Sequence, residues 1–297
     1  MEWLRNLSNA IDYIEKNLDS EICYEEAASI ACCSIYYFQR MFSYVAGISL
    51  SEYIRRRRMT QAAFEIQTTD TKIMEVALKY GYTSPTSFNR AFQNVHGISP
   101  TSAKAKGSIL NAYPPIKFSV NITGGNVMPY RVEEKKAIRI VGIRIPLTLD
   151  MEENQRQVPP FWESTLKSHQ FEKICNLSNQ LPMSVLGATV CQNADEIYYY
   201  IAAATDQPVP EGMFEYQLPA ATWVVFESNG PFKESIQNIF KRFLTEWLPF
   251  SGYAYAELPD IEVYPINKEI AQAGHSEVWI AVKKEKKNFD PNQGGIT

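Results

Sequence analysis

Apolar positions recur every third or fourth residue up to about residue 108 and at alternate residues in much of the remainder, so a helical part precedes a strand-rich part. Trp3, Leu4, Leu7, Ile11, Ile14 and Leu18 make an amphipathic first helix. Leu50, Tyr53, Ile54, Met59, Ala62, Ala63 and Ile66 make a longer stripe, whose opening Ser-Leu-Ser-Glu suits a capping box. Around this stripe a unit occurs twice at an offset of fifty residues. Ala27, Ser34, Phe38, Arg40, Phe42, Val45, Gly47, Ile48 and Ser49 recur as Ala77, Ser84, Phe88, Arg90, Phe92, Val95, Gly97, Ile98 and Ser99. Each copy predicts a short helix holding the Ala, a tight break, a Ser placed as N-cap, and a second helix with its Phe pair at i and i+4. That is a helix-turn-helix, present twice. An all-α repeat protein is the alternative, but solenoids bury a continuous core only with about three stacked units.

In each second helix the Phe pair points inward, which leaves Ile35, Tyr36, Gln39 and Arg40 outward in the first copy and Pro85, Thr86, Ser87, Asn89 and Arg90 in the second. Arg pairs with guanine O6 and N7, and Gln or Asn with adenine N6 and N7, so these side chains suit direct readout of double-stranded DNA. Tyr36, Thr86 and Ser87 better suit phosphate or methyl contacts, and Pro85 fits a first helical turn. The bland reading of any one of them is an ordinary exposed residue. The long helix between the copies is a rigid spacer, letting one chain reach two major-groove segments about 34–36 Å apart. Arg residues at 55–58 advance by about 100° each, so they fan around that helix. One or two of them, Arg55 included, are expected to reach phosphate, and the rest to pair with acids such as Glu52.

Residues 105–128 carry Pro114-Pro115 and Gly124-Gly125 and read as a linker. Beyond Tyr130, strand patterns fall at 137–145, 184–191, 196–204, 214–218, 222–227, 261–266 and 278–282, with helices at 161–177 and 232–247. The order strand-strand-helix-strand-strand, taken twice, predicts two pseudo-symmetric ββαββ halves with helices on one side of a sheet. The fold class is therefore multidomain: an all-α double helix-turn-helix domain at 1–108, a linker at 109–127, an α+β domain at 128–285, and a tail at 286–297. In the last strand, alternation sets Val278, Ile280 and Val282 toward the helices and Glu277, Trp279 and Ala281 away from them. A carboxylate beside an indole on an uncovered face suits a cationic aromatic ligand, and Trp162, Tyr200, Trp223 and Tyr264 are candidates for its aromatic wall, with Tyr198 beside them. The alternatives are a rim carboxylate paired with a Lys, and aromatics that simply pack.

Charge qualifies this picture. The chain of 297 residues has a formal net charge of −4, yet residues 1–108 hold 12 basic against 11 acidic side chains, while residues 109–297 hold 17 against 22. Arrangement, with Arg40, Arg90 and residues 55–58 on or beside the reading elements, matters more than the total. Five cysteines without metal-ligand spacing point to a reducing, cytoplasmic location, and no apolar run is long enough for a membrane span. Cys32 and Cys33 align with Gly81 and Tyr82, so a turn and a packing role outweigh a redox switch. His96, His169 and His275 fall in separate predicted elements, and there is no nucleophile motif or phosphate loop. Neither an enzyme nor a cofactor or metal site is expected.

The motifs themselves resemble a known family. The run 73–82, then Ser84-Pro85-Thr86-Ser87-Phe88-Asn89-Arg90-Ala91-Phe92 and Gly97-Ile98-Ser99-Pro100, is similar to the AraC/XylS family of bacterial transcription regulators, over residues 3–106. Phe38-Gln39-Arg40-Met41-Phe42 and Tyr53-Ile54-Arg55 resemble its Rob-type branch. That resemblance implies an N-terminal DNA-binding part in which Tyr36, Gln39 and Arg40 meet bases, and activation through RNA polymerase. Cys32 stands where the family has Gly, which puts the first turn and its base preference in question. Residues 128–285 resemble the GyrI-like effector-binding domain through Ala221-Thr222-Trp223-Val224-Val225-Phe226, Gly230-Pro231, Glu246-Trp247-Leu248-Pro249, Pro259-Asp260-Ile261-Glu262-Val263-Tyr264 and Glu277-Val278-Trp279-Ile280-Ala281-Val282. This implies a groove for a small-molecule effector, with Glu277 at its floor. Docking to a protein partner, as such domains do with DNA gyrase, is the alternative, and hydrolysis by Glu277 with a Tyr a lesser one.

Overall fold

The computed structural model describes residues 2–118, 127–229, 232–266 and 275–285. The expected tail at 286–297, Gly124-Gly125 and Gly230-Pro231 lie outside the described residues. The chain divides into two compact units, Met1–Thr123 with Thr148–Gln157, and Gly124–Leu147 with Val158–Thr297.

The first unit is helical: α1 (Glu2–Lys16), α2 (Tyr24–Ile30), α3 (Ile35–Ala46), α4 (Leu50–Thr68), α5 (Ile73–Lys79), α6 (Pro85–His96) and α7 (Pro100–Ala103). From Ser34 onward the repeated residues do the same work twice, and Phe38, Phe42, Phe88 and Phe92 fill the two cores. In α2 and α5 the offset is forty-nine, so Ala28 rather than Ala27 stands where Ala77 does, all three being buried. Gly47 (φ 73°) and Gly97 (φ 77°) take the left-handed conformation that ends α3 and α6, each donating its N–H to the carbonyl four residues back. The whole stripe expected on α4 is buried, its first half in one core and its second half in the other. The spacer helix thus belongs to both helix-turn-helix units.

The turn inside each unit repeats as well. Cys33 N donates to Ala28 O as Tyr82 N does to Ala77 O, and Cys32 holds φ 58° where Gly81 holds 86°. Cys32 therefore performs the glycine's turn unchanged in form but carries the steric cost of a side chain there. Cys32→Gly is expected to stabilise the protein by about 1 kcal/mol, less what the glycine loses in unfolded-state entropy. A thermal melt checks this, and an unchanged or lowered midpoint contradicts it.

Among the described residues, the second unit is a nine-stranded antiparallel sheet with helices against it. Its strands are β1 (Tyr130–Lys135), β2 (Ile138–Leu147), β3 (Ser184–Cys191), β4 (Ile197–Ala204), β5 (Phe214–Leu218), β6 (Ala221–Asn229), β7 (Tyr253–Tyr255), β8 (Asp260–Pro265) and β9 (His275–Lys284). Their order is β1-β6-β9-β8-β3-β4-β2-β5, with the short β7 also on β9. The series reads the same from either end once β1, β6, β9 and β8 are matched to β5, β2, β4 and β3. The pseudo-symmetric ββαββ halves are therefore present, with one feature the pattern did not carry. The first strand of each half pairs in the other half, β1 on β6 and β5 on β2.

The predicted helix at 161–177 is two helices, α8 (Met151–Leu166) and α9 (His169–Leu177), broken where Ser168 caps α9 through Gln170 N. α8 starts ten residues earlier than expected and contains Pro159 and Pro160, which masked its periodicity. The helix at 232–247 is α10 (Phe232–Arg242) followed by a π-helical turn (Phe243–Trp247) and α11 (Leu248–Ser251). Its expected face of Ile236, Ile239, Phe240, Phe243, Leu244 and Trp247 is buried. Phe243 and Trp247 meet Phe226 with ring centroids at 6.0 and 6.1 Å, and Phe226 lies opposite Val278, so that side of β6 and β9 is the helix-covered one.

Candidate DNA-reading face and two carboxylate clusters

In α6 the five residues expected to face DNA, Pro85, Thr86, Ser87, Asn89 and Arg90, are all exposed while Phe88 between them is buried. Ser84 accepts from Ser87 N, and Pro85 at the first turn loses no hydrogen bond there. The outcome is a rigid helix with its polar face open. α3 differs. Tyr36, Gln39 and Arg40 are buried, with 4%, 7% and 7% of their surface exposed. The Arg40 guanidinium bonds Tyr44 Oη through Nε and Nη2 at 3.2 Å and lies 5.9 and 5.5 Å from the Tyr36 and Tyr44 ring centroids. Gln155, within the same unit, donates to Ser43 Oγ at 3.3 Å. The first copy thus buries its polar side chains and holds Arg40 between two tyrosine rings.

The arginines of α4 all have intramolecular partners. Arg55 and Arg56 pair with Glu52, as expected for part of the run. Arg57 grips Glu15 of α1 with Nη2 at 2.8 Å, and Arg58 donates to Leu18 O and Ser20 O. Of these four, Arg55 is exposed.

In the second unit the sheet brings Glu277, Trp279, Trp223 and Tyr200 to the face away from the helices and sets Trp162 and Tyr264 on the helix side. The far face is not open throughout. Ile140, Leu186, Val225, Ile261 and their neighbours form a core that buries Trp223, Tyr200 and Trp279. Beside that core lies a cavity of about 750 Å³, whose lining among the described residues includes Glu277, Trp279, Arg131, Lys135, Val263 and the 180–184 loop.

β1 supplies what the sequence reading left out of this groove. Arg131, Glu133 and Lys135 alternate onto the same face as Trp223 and Val225. Arg131 meets Glu133 at 2.5 Å, Glu277 at 2.6 Å and Glu227 at 3.6 Å, and Lys135 pairs with Glu133. Trp279 Nε1 donates to Glu277 at 2.7 Å, and Lys135 Nζ lies 4.2 Å from the Trp279 centroid. Burial alone would lower the Arg131 guanidinium, but its hydrogen bonds to Glu277 and Glu133 outweigh that and raise it. The bond from Lys135, then that from Arg131, holds the Glu133 carboxyl below the usual carboxylate range. Glu277 is thus paired with an Arg, whereas the alternative reading had foreseen a Lys.

A second cluster lies on the helix side. Tyr199 and Tyr264 both donate to Glu262 Oε2, at 2.6 and 2.9 Å, and Trp162 Nε1 donates to Tyr199 Oη at 2.9 Å. The Trp162 and Tyr264 rings meet edge to face at 4.9 Å. Burial, then the Glu262 charge, pushes the Tyr264 hydroxyl well up. Gly187 makes the space, since a Cβ there would stand 2.3 Å from Tyr199 Oη and 2.8 Å from Glu262 Oε2. Tyr200, placed with the Glu277 group by sequence, instead bonds Arg144, whose guanidinium lies 3.8 Å from the Tyr198 centroid. The six candidates therefore divide among three clusters.

Comparison with known proteins places both units. A family model described as a helix-turn-helix domain matches residues 27–106, and one described as integron-associated effector binding protein matches residues 131–282. Over 95 residues the chain is 39% identical to the TetD protein of transposon Tn10 from Escherichia coli, covering 32% of this chain and 69% of that one. It is 38% identical over 95 residues to the HTH-type transcriptional activator AarP of Providencia stuartii, covering 32% and 70%. The solved structure of SAV2435 bound to tetraphenylphosphonium is 18% identical, covers 52% of this chain and 94% of its own, and superposes with a TM-score of 0.47. The chain belongs to the AraC-type DNA-binding transcription regulators, and its C-terminal part is an effector-binding domain of the integron-associated family.

Proposed function

We propose that this regulator reads specific DNA with α3 and α6, activates transcription through RNA polymerase in the cytoplasm, and answers to a small aromatic cation held by Glu277 and Trp279. The bases are met by Asn89 and Arg90, with Arg55, Thr86 and Ser87 on phosphate or methyl groups and Pro85 shaping the approach. Gln39 and Arg40, with Tyr36 beside them, are buried in α3 and meet bases only in a DNA-bound arrangement that opens their cluster. The naming of AarP as an activator supports activation. The reading divides the chain into a DNA-binding domain at 1–108, a connection at 109–127 and an effector domain at 128–285.

One observation carries the effector chemistry. Three carboxylates, Glu133, Glu227 and Glu277, share the two cations Arg131 and Lys135 beside an indole on a cavity wall. Protein cations already occupy the carboxylate and the ring face, and one negative charge remains in excess. An incoming aromatic cation takes the place of Arg131 on Glu277 and of Lys135 on the Trp279 ring, while Glu133 retains both and Glu227 retains Arg131. A ligand of this kind shifts the protein only as far as it prefers the arrangement in which Arg131 has moved.

The Glu262 cluster supports a second seat for the same ligand class, because a carboxylate ringed by Trp162, Tyr199 and Tyr264 also favours a cation. Thermal shift with a panel of aromatic cations, tetraphenylphosphonium and ethidium included, tests the proposal. Concentration-dependent stabilisation is expected. Silence across the panel, together with a co-purifying protein in stoichiometric amount, would replace it with a docking role.

A further inference from the structure

Residues 109–118, which read as linker, are fastened across α4 from one helix-turn-helix core to the other. Leu110 and Tyr113 pack on the second core, and Ile116 and Phe118 on the first, where Phe118 meets Phe42 edge to face at 6.3 Å. Polar ties run along the same path. Asn111 Nδ2 donates to Val95 O of α6 at 2.7 Å, Tyr113 N to Thr60 Oγ1 at 3.1 Å, and Ile116 N to Tyr53 Oη at 3.2 Å. Arg57 Nη1 donates to Tyr113 O at 2.5 Å while its other nitrogens hold Glu15 of α1, and the Arg56 guanidinium lies 4.9 Å from the Tyr113 centroid. Tyr53 completes the circuit by donating to Glu15 at 2.6 Å.

We infer that this segment is a strap that fixes the spacing and rotation of α3 relative to α6, with Tyr113 and Arg57 as its positioning residues. The two cores share no residue, so α4 and the strap are the elements that enter both. α4 sets the distance between the two cores, and a second segment anchored to both restrains how each core turns about that helix. Arg57 is buried with Glu15 as its counter-charge, so the tie is held in place by the cost of leaving either charge alone. Pro114 and Pro115 stiffen the strap between its two anchor pairs.

The test uses the full-length protein and duplexes selected by it from random sequence. Inserting one base pair between the two recognised segments rotates one against the other by about 35°. The wild-type protein is expected to lose about tenfold or more on the lengthened duplex, the cost of roughly one lost base contact. Tyr113→Ala is expected to bind the original duplex more weakly and to discriminate between the two spacings by less than about threefold. Tyr113→Phe keeps the ring on Arg56 and restores discrimination. Should Tyr113→Ala fail to fold by circular dichroism, Ile116→Ala is read in its place with the same expectation. A wild-type protein indifferent to spacing, or variants that lose affinity equally at both spacings, would overturn the inference.

Discussion

Arg90→Ala lowers affinity for the selected duplex by roughly 5- to 150-fold, the 1–3 kcal/mol carried by a good bidentate guanine contact, and relaxes base preference at one position. The expectation follows from α6 being held by Phe88 and Phe92 in its core and by Ser84 and Gly97 at its ends, while Arg90 stays exposed. Removing a solvated side chain from such a helix leaves the fold untouched, so the loss reports on DNA alone. Binding measured by anisotropy at fixed salt, on selected and unselected duplexes, checks it. An equal loss on both would make Arg90 a phosphate contact. Arg40 does not offer so clean a measurement, since its guanidinium is part of the Tyr36 and Tyr44 cluster and its removal disturbs packing as well.

Glu277→Gln abolishes most of the stabilisation by an aromatic cation, with a loss of about tenfold or more in affinity for removing a partly desolvated counter-charge. Arg131→Ala moves the other way and tightens binding, because the side chain it deletes competes for the same carboxylate. Titration calorimetry on the pair of variants separates this from simple damage, which would weaken binding in both. If Glu277→Gln binds as the wild type does and Glu262→Gln does not, the seat is the tyrosine-ringed carboxylate on the helix side.

The helical part was legible to an unusual depth because it is written twice. Where Phe38 and Phe88, or Gly47 and Gly97, occupy equivalent positions, each copy checks the other, and the copies fold alike. Seven of the strands were legible from alternation, β1 and the three-residue β7 were not, and the facing of Glu277 and Trp279 followed from it. The partners of those two residues were not, because β1 pairs with β6 some ninety residues away and periodicity carries no information about pairing. The alternation of Arg131, Glu133 and Lys135 was the available signal, and it becomes meaningful only once that pairing is known. Composition misled in the segment at 109–118, where prolines and polar residues read as loose chain although Tyr113 and Ile116 are anchors. Burial of Tyr36, Gln39 and Arg40 was likewise invisible, since residue type reports what a side chain can bond and not what it meets.

The exchange of outer strands between the two halves of the sheet decides how the effector domain breaks. A duplicated half of this kind, once each copy has lent its leading strand to its sibling, no longer exists as a separate object. A cut in the chain between β4 and β5 leaves each fragment without an edge that only the other supplies, so the fragments are expected to be unfolded singly and to regain the sheet's circular dichroism when mixed.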